Sequence, residues 1–307
     1  MHDCSAGAGR HRIPCIRPSF SISQITTLTA SFADDVHAYA AAGADAIGVW
    51  ELKLPDGGDT EALEVLAGSG LGSAAAIPAI PSILPLPLMD GPNEPQARIE
   101  AICASVHRLS AFRPSGIVCL TGPGQDRDTV VEGLRIIAGE AQRAGVRIGL
   151  EPINRIGGED WTMISSLSEA VGLLDDADHP ALGLQFDTWH LWNAPNVVEE
   201  IGQYADRFVG VHVADWREPT RTWADRVLPG DGVADLPSLL GALEAAGWDG
   251  YYDVEIFSDN GSFGNAWPDS LWDTPTEELA LAAKESFTRV WEARNRTKVD
   301  QVSPGAV

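Results

Sequence analysis

Short apolar runs of strand length recur along the chain, and each is followed by a longer stretch whose apolar residues return every three to four positions. The runs lie at 21–28, 46–52, 75–84, 116–121, 147–153, 182–189, 208–214 and 251–257. Helical periodicity fills 32–42, 60–67, 96–111, 128–144, 167–176, 197–205, 236–246 and 276–295. Several of these segments stop at a glycine, as at Gly43, Gly145 and Gly247. Eight β/α units with no break in composition predict a single (β/α)8 TIM barrel over 21–296, in the α/β class. An open doubly wound sheet needs a glycine-rich loop after its first strand, and the sequence there is TTLTAS. Residues 1–20 read as a flexible N-terminal extension and 297–307 as a C-terminal tail.

Composition narrows the partners. Hydrophobic residues make up 44% of the 307 positions, enough for a substantial core. The chain carries 21 Lys+Arg against 44 Asp+Glu, a formal charge of -23 that repels nucleic acid and anionic lipid. Most of that acidity reads as a solvated surface. Cys4, Cys15, Cys103 and Cys119 show no metal-type spacing and are expected as free thiols in a reducing compartment. Residues 1–20 lack the apolar core of a signal peptide and no run approaches membrane-spanning length, so the expectation is a cytoplasmic protein with no membrane partner.

In such a barrel the active site lies at the carboxyl ends of the strands. Strand five, RIGLEPI, ends near Glu151, and strand six, LGLQFDTW, ends near Asp187. Strand seven, FVGVHVADW, carries His212 in its second half, and strand eight, YYDVEIF, carries Glu255. Their flanking neighbours Leu150, Phe186, Val211 and Val254 are apolar, which assigns the four polar side chains to the barrel interior together with Gly149, Gln185, Gly210 and Asp253. Three converging carboxylates repel one another unless a cation compensates them. Three carboxylates and one imidazole suit a hard or borderline ion; Mn²⁺ is the expected cation, with Mg²⁺, Co²⁺ and Zn²⁺ as alternatives.

The ordered motifs GLEPINR (149–155), FDTWH (186–190), GVHVADWR (210–217), DRVLPGDG (225–232) and DVEIF (253–257) resemble the xylose isomerase-like barrel family. That family includes ketose epimerases, hydroxypyruvate isomerase-like enzymes and endonuclease IV. The resemblance implies Glu151, Asp187, His212 and Glu255 as ligands of one divalent cation. It implies proton transfer beside a carbonyl of a sugar or oxo-sugar, with Glu151 and Glu255 as the acid/base pair and His190 contacting a substrate oxygen or supporting the site. Arg217 is expected to orient a substrate hydroxyl or a ligating carboxylate, although in ketose epimerases the arginine follows the histidine by six residues and here by five.

Eight of the ten tryptophans fall at or beyond predicted strand ends, and Trp50, Trp189, Trp216 and Trp267 are the candidates for packing on a small-molecule carbohydrate. The segment SDNGSFGNAWPDSLWD after strand eight reads as a lid or interface loop. An alternative within the same resemblance is the catalytic subunit of a C-glycoside deglycosidase, which expels an aglycone from a 3-oxo-glycoside and pairs with a small second subunit; otherwise a homo-oligomer is expected. A nuclease like endonuclease IV needs extra histidines at the ends of strands two to four, and none of the seven lies there. Its D-R-H motif reads Asp225, Arg226, Val227. The intact ligand set argues for an enzyme over a non-catalytic sugar-binding barrel.

Overall fold

The computed structural model describes residues 17–87, 91–156 and 161–294. Among them, eight parallel strands close into a barrel: β1 (Ser19–Ser23), β2 (Ala46–Trp50), β3 (Gly72–Ile77), β4 (Gly116–Cys119), β5 (Ile148–Leu150), β6 (Leu182–Asp187), β7 (Phe208–Val213) and β10 (Tyr251–Val254). Strands β8 (Asp215–Trp216) and β9 (Arg226–Val227) form a separate antiparallel ribbon above β7. Strand β10 pairs with both β7 and β1, which closes the ring. The helices of the outer layer are α1 (Phe32–Ala41), α2 (Asp59–Ser69), α3 (Pro95–Ser110), α4 (Arg127–Ala144), α5 (Leu167–Ala177), α7 (Val197–Tyr204), α8 (Leu236–Ala245) and α9 (Thr276–Ala293). A single helical turn, α6 (Thr188–Leu191), follows β6.

Local chemistry sets the helix ends. The side chains of Ser31, Asp126, Ser166 and Asp235 accept the first free backbone N–H groups of α1, α4, α5 and α8. Gly145 ends α4 at φ 74°, a left-handed conformation that glycine adopts without steric cost. The main core lies between strands and helices, where the outward residues Ile22, Val49, Ile117, Leu184 and Val211 meet the inner helix faces.

The parallel barrel stands as read from the sequence, whereas several boundaries move. The third strand begins at Gly72 and ends at Ile77 rather than running over 75–84, because Pro78 and Pro81 remove ladder N–H groups. The first strand ends at Ser23 and passes into a 3-10 turn, Gln24–Thr27. Strand β6 stops at Asp187, whose carboxylate caps α6 by accepting the Trp189 N–H at 2.7 Å. Cys103 and Cys119 are free; Cys4, Cys15, most of the N-terminal extension and the tail lie outside the described residues.

The barrel interior is layered. Gln185 and Val209 fill the lower layer, where a Cβ on Gly149, Gly183 or Gly210 would overlap one or both of them. Gly48 leaves room for the Asp253 carboxylate, which a Cβ there would meet at 2.1 Å. Beyond the end of β1, Lys53 Nζ pairs with Asp35 Oδ2 at 2.6 Å, and both side chains are buried. Gln24 Nε2 and Thr27 Oγ1 also donate to Asp35, at 2.7 and 2.6 Å. Burial pushes the Asp35 carboxyl up to about 6 even beside Lys53.

Removing one partner of a buried pair strands the other charge away from water. Asp35→Asn is therefore expected to lower the unfolding free energy by ~3 kcal/mol or more, read from urea denaturation midpoints; an unchanged midpoint would show that Lys53 finds compensation elsewhere.

Candidate active site

Four strand ends deliver their polar side chains to one place. Glu151 follows β5 directly, held by its backbone N–H donating to Cys119 O. Asp187 ends β6, His212 lies in β7 opposite both Asp187 and Asp253 in the strand register, and Glu255 follows β10. All four are buried.

One carboxylate oxygen each from Glu151 and Asp187 and one ring nitrogen of His212 lie within 4.8 Å of one another. His212 Nδ1 stands 3.4 Å from both Glu151 Oε1 and Glu255 Oε2. Yet Glu151 Oε1 and both His212 nitrogens have no hydrogen-bond partner among the described residues. Buried polar atoms normally have one, so this cluster fits a further group at its centre. Two hard oxygens and a borderline nitrogen suit a divalent cation. Beneath the ring, Asp253 Oδ2 faces His212 Nε2 at 3.9 Å, placing a carboxylate behind the imidazole.

Glu255 belongs to the same cluster through His212, and its shorter contact is to Arg226, a residue outside the sequence-based expectation. Arg226, on β9, is buried and donates through Nη1 to Asp187 Oδ2 at 2.9 Å and Glu255 Oε2 at 3.1 Å. Its guanidinium lies 4.6 Å from the Trp189 ring centroid and 4.7 Å from that of Phe257, stacked between two faces. The Arg226 N–H donates to Phe257 O, which fastens the ribbon to the end of the eighth barrel strand. The signal for Arg226 in the sequence is a lone cation followed by Val227 and Leu228 in the turn-rich DRVLPGDG motif.

His190 reaches the cluster from α6. The Asn154 N–H donates to its Nδ1 at 3.1 Å, so the neutral ring carries its proton on Nε2. That nitrogen faces Asp187 Oδ2 at 3.7 Å and Arg226 Nη2 at 3.4 Å. Burial holds the ring neutral, with a pKa down at about 3. Burial pushes Glu151 up to about 7 and raises Glu255, while for Asp187 burial is outweighed by Arg226, His190 and His212, which hold it below the usual carboxylate range. Burial also works against charge on His212, but Glu255 and Glu151 raise it to about 10.

The cluster forms the floor of a cavity of about 140 Å³. Glu151, His190, His212, Arg226 and Glu255 line it, as do Trp50 and Trp189. Trp161, Trp223, Phe257 and Phe263 join them, and Trp223 packs edge-on against the other three at 5.2–5.8 Å. Arg217, Trp216 and Trp267 stand outside this lining. Arg217 is drawn to Asp225 at 2.8 Å and Asp269 at 3.0 Å. Trp216 packs on Trp189 and Trp192, and Trp267 lies against the Arg221 guanidinium. The loop after the eighth strand is ordered by Asp259, whose carboxylate accepts the N–H groups of Gly261, Phe263 and Asn265.

Comparison with known proteins bears on the fold and the family. A 3-dehydroshikimate dehydratase of Pseudomonas putida is 29% identical over 146 residues, covering 44% of this chain and 21% of that protein. A 3-dehydro-D-guloside 4-epimerase of Escherichia coli K12 is 29% identical over 149 residues, 48% of this chain and 52% of the epimerase. The chain thus spans about half the length, or less, of these curated relatives. A solved structure of a Sinorhizobium meliloti 1021 protein superposes with a TM-score of 0.77 at 25% identity, covering 89% of this chain and 98% of that one. Residues 36–287 match the family described as xylose isomerase-like TIM barrel, and with the closed eight-stranded ring this shows that the chain belongs to that family.

Proposed function

We propose that the protein is a divalent-metal-dependent enzyme of the sugar isomerase and epimerase kind, which moves a proton on the carbon beside a carbonyl. The observation that carries this reading is the set of orphaned buried atoms on Glu151 and His212, within reach of Asp187. Glu151, Asp187 and His212 would hold the cation, with Glu255 beside His212 as the fourth donor. A bound divalent cation polarises a carbonyl oxygen and so acidifies the adjacent C–H. Mn²⁺ is the proposed ion, and the donor set accommodates Mg²⁺, Co²⁺ and Zn²⁺ as alternatives.

The remaining steps rest on the chain's own groups. Glu151 and Glu255 approach His212 from different strands, and each has a carboxylate able to take or return the substrate proton. Burial raises both carboxyls above the usual range, Glu151 to about 7, which suits groups that must release as well as accept a proton. The Nε2–H of His190 and the Arg226 guanidinium are donors aimed at the floor, placed to bind substrate oxygens as negative charge develops.

Return of the proton to the opposite face gives epimerisation, and return to the neighbouring carbon gives isomerisation. Loss of a group from the next carbon gives elimination, a second reading favoured by the Pseudomonas putida relative, a dehydratase by name. A carbohydrate or carbohydrate-like ketone serves all three outcomes, in a cytoplasmic setting and with assembly into homo-oligomers or with a small second subunit as the proposed partners.

Two measurements test this. Saturating Mn²⁺ at about 100 times its Kd should raise the melting temperature of metal-free protein by about 4–5 °C, and Asp187→Asn should remove most of that rise. Incubation with a panel of ketoses and 3-oxo-sugars in D₂O with Mn²⁺, followed by NMR, should show loss of one C–H signal. Glu151→Gln and Glu255→Gln should each slow that exchange by about 100-fold or more. Exchange retained in either variant removes that residue from the acid/base role.

A further inference from the structure

We propose that Asp253 is a positioning residue: it holds the His212 ring in the one tautomer that can bind a cation through Nδ1, and so sets how tightly the cation is held. This rests on the metal site proposed above and gives a carboxylate outside the ligand set a part in it.

Strand register delivers Asp253 to its place. Asp253 lies opposite Ser21 on one side and His212 on the other, and His212 lies opposite Asp187. One row across β1, β10, β7 and β6 therefore carries Ser21, Asp253, His212 and Asp187. Glu255, two residues beyond Asp253 on the same face, lines the cavity above this row. The eighth barrel strand thus supplies one carboxylate to the cavity and a second behind the imidazole.

Room for the second carboxylate depends on Gly48 of β2. A Cβ there would lie 2.1 Å from Asp253 Oδ2 and 3.0 Å from its Cγ, so a larger residue would push the carboxylate away. The space is kept for a group that makes no hydrogen bond of its own among the described residues: both Asp253 oxygens are buried and unpartnered, and so is His212 Nε2. Buried polar atoms left in this state call for an explanation.

The tautomer supplies one. Nδ1 of His212 faces the cluster, 3.4 Å from Glu151 Oε1 and from Glu255 Oε2, while Nε2 faces Asp253 Oδ2 at 3.9 Å. A neutral imidazole has one proton, and a cation in the cluster takes the lone pair of Nδ1, which leaves the proton on Nε2. The group facing that proton is a carboxylate. The opposite tautomer would set the Nε2 lone pair against the same negative group. The 3.9 Å separation exceeds a direct N–H···O bond by about 1 Å, a distance that a small turn of the ring toward the cation closes. A carboxylate accepting from the far nitrogen makes the near one a stronger donor to metal.

Calorimetric titration of the metal-free protein with Mn²⁺ measures the effect. Asp253→Asn keeps the shape and removes the charge, and should raise the Kd for Mn²⁺ about 10- to 100-fold. Asp253→Ser removes the carboxylate with a smaller side chain and should show the same loss, which covers the case of an amide variant that does not fold. A second readout is specific to the tautomer. In Zn²⁺-loaded protein labelled with ¹⁵N-histidine, NMR should place the His212 ring proton on Nε2, downfield of its position in Asp253→Asn. An unchanged Kd in either variant, or a ring proton on Nδ1 in the wild type, overturns the role of Asp253 and leaves the metal site standing. Wild-type protein that binds none of Mn²⁺, Mg²⁺, Co²⁺ and Zn²⁺ overturns both readings.

Discussion

The structure turns on the cost of burying carboxylates together. Glu151, Asp187, Asp253 and Glu255 all lie inside one end of the barrel, away from water. A carboxylate in that setting costs several kcal/mol unless a cation or hydrogen bonds answer it. His212 answers from within the ring of strands, and Arg226 from the ribbon above it. The arginine is in turn fixed by Trp189 and Phe257, and these rings also form the cavity wall. The electrostatic floor and the apolar wall are thus built from the same contacts.

The same economy extends to the loops. Much of the chain's acidity is solvated, but Asp215, Asp225 and Asp259 are buried and serve as organisers. Asp215 accepts backbone N–H groups from Gly230 and Ala234, Asp225 from Arg221, and Asp259 from three residues of the final loop. Each replaces a stretch of regular structure with a charge-assisted knot of hydrogen bonds. These knots flank the ribbon that carries Arg226 and the loop that carries Phe263, so irregular backbone holds functional side chains on a rigid barrel.

What the sequence determined by itself was the repeating unit and the rank of its polar strand ends. Alternation within a strand has a period of two whatever surrounds it, so Glu151, Asp187, His212 and Glu255 were legible as inward residues. Helix periodicity and its caps likewise depend on neighbours within a few positions, which is why α4, α5 and α8 fall close to their expected bounds. Strand ends were less legible, because prolines at 78 and 81 and the capping carboxylate of Asp187 stop strands within apolar runs.

Only the tertiary structure decided which side chains share the floor. Arg226 is 39 residues from Asp187 and 29 from Glu255, and no local period links them. Arg217, Trp216 and Trp267 had positions along the chain as suggestive as those of Trp161 and Trp223, yet ion pairs and ring contacts draw them away from the cavity. The physical reason is range: a repeating pattern records what each element needs of its own neighbours, whereas charge compensation and aromatic stacking at the barrel mouth are settled between loops that meet only once the ring has closed.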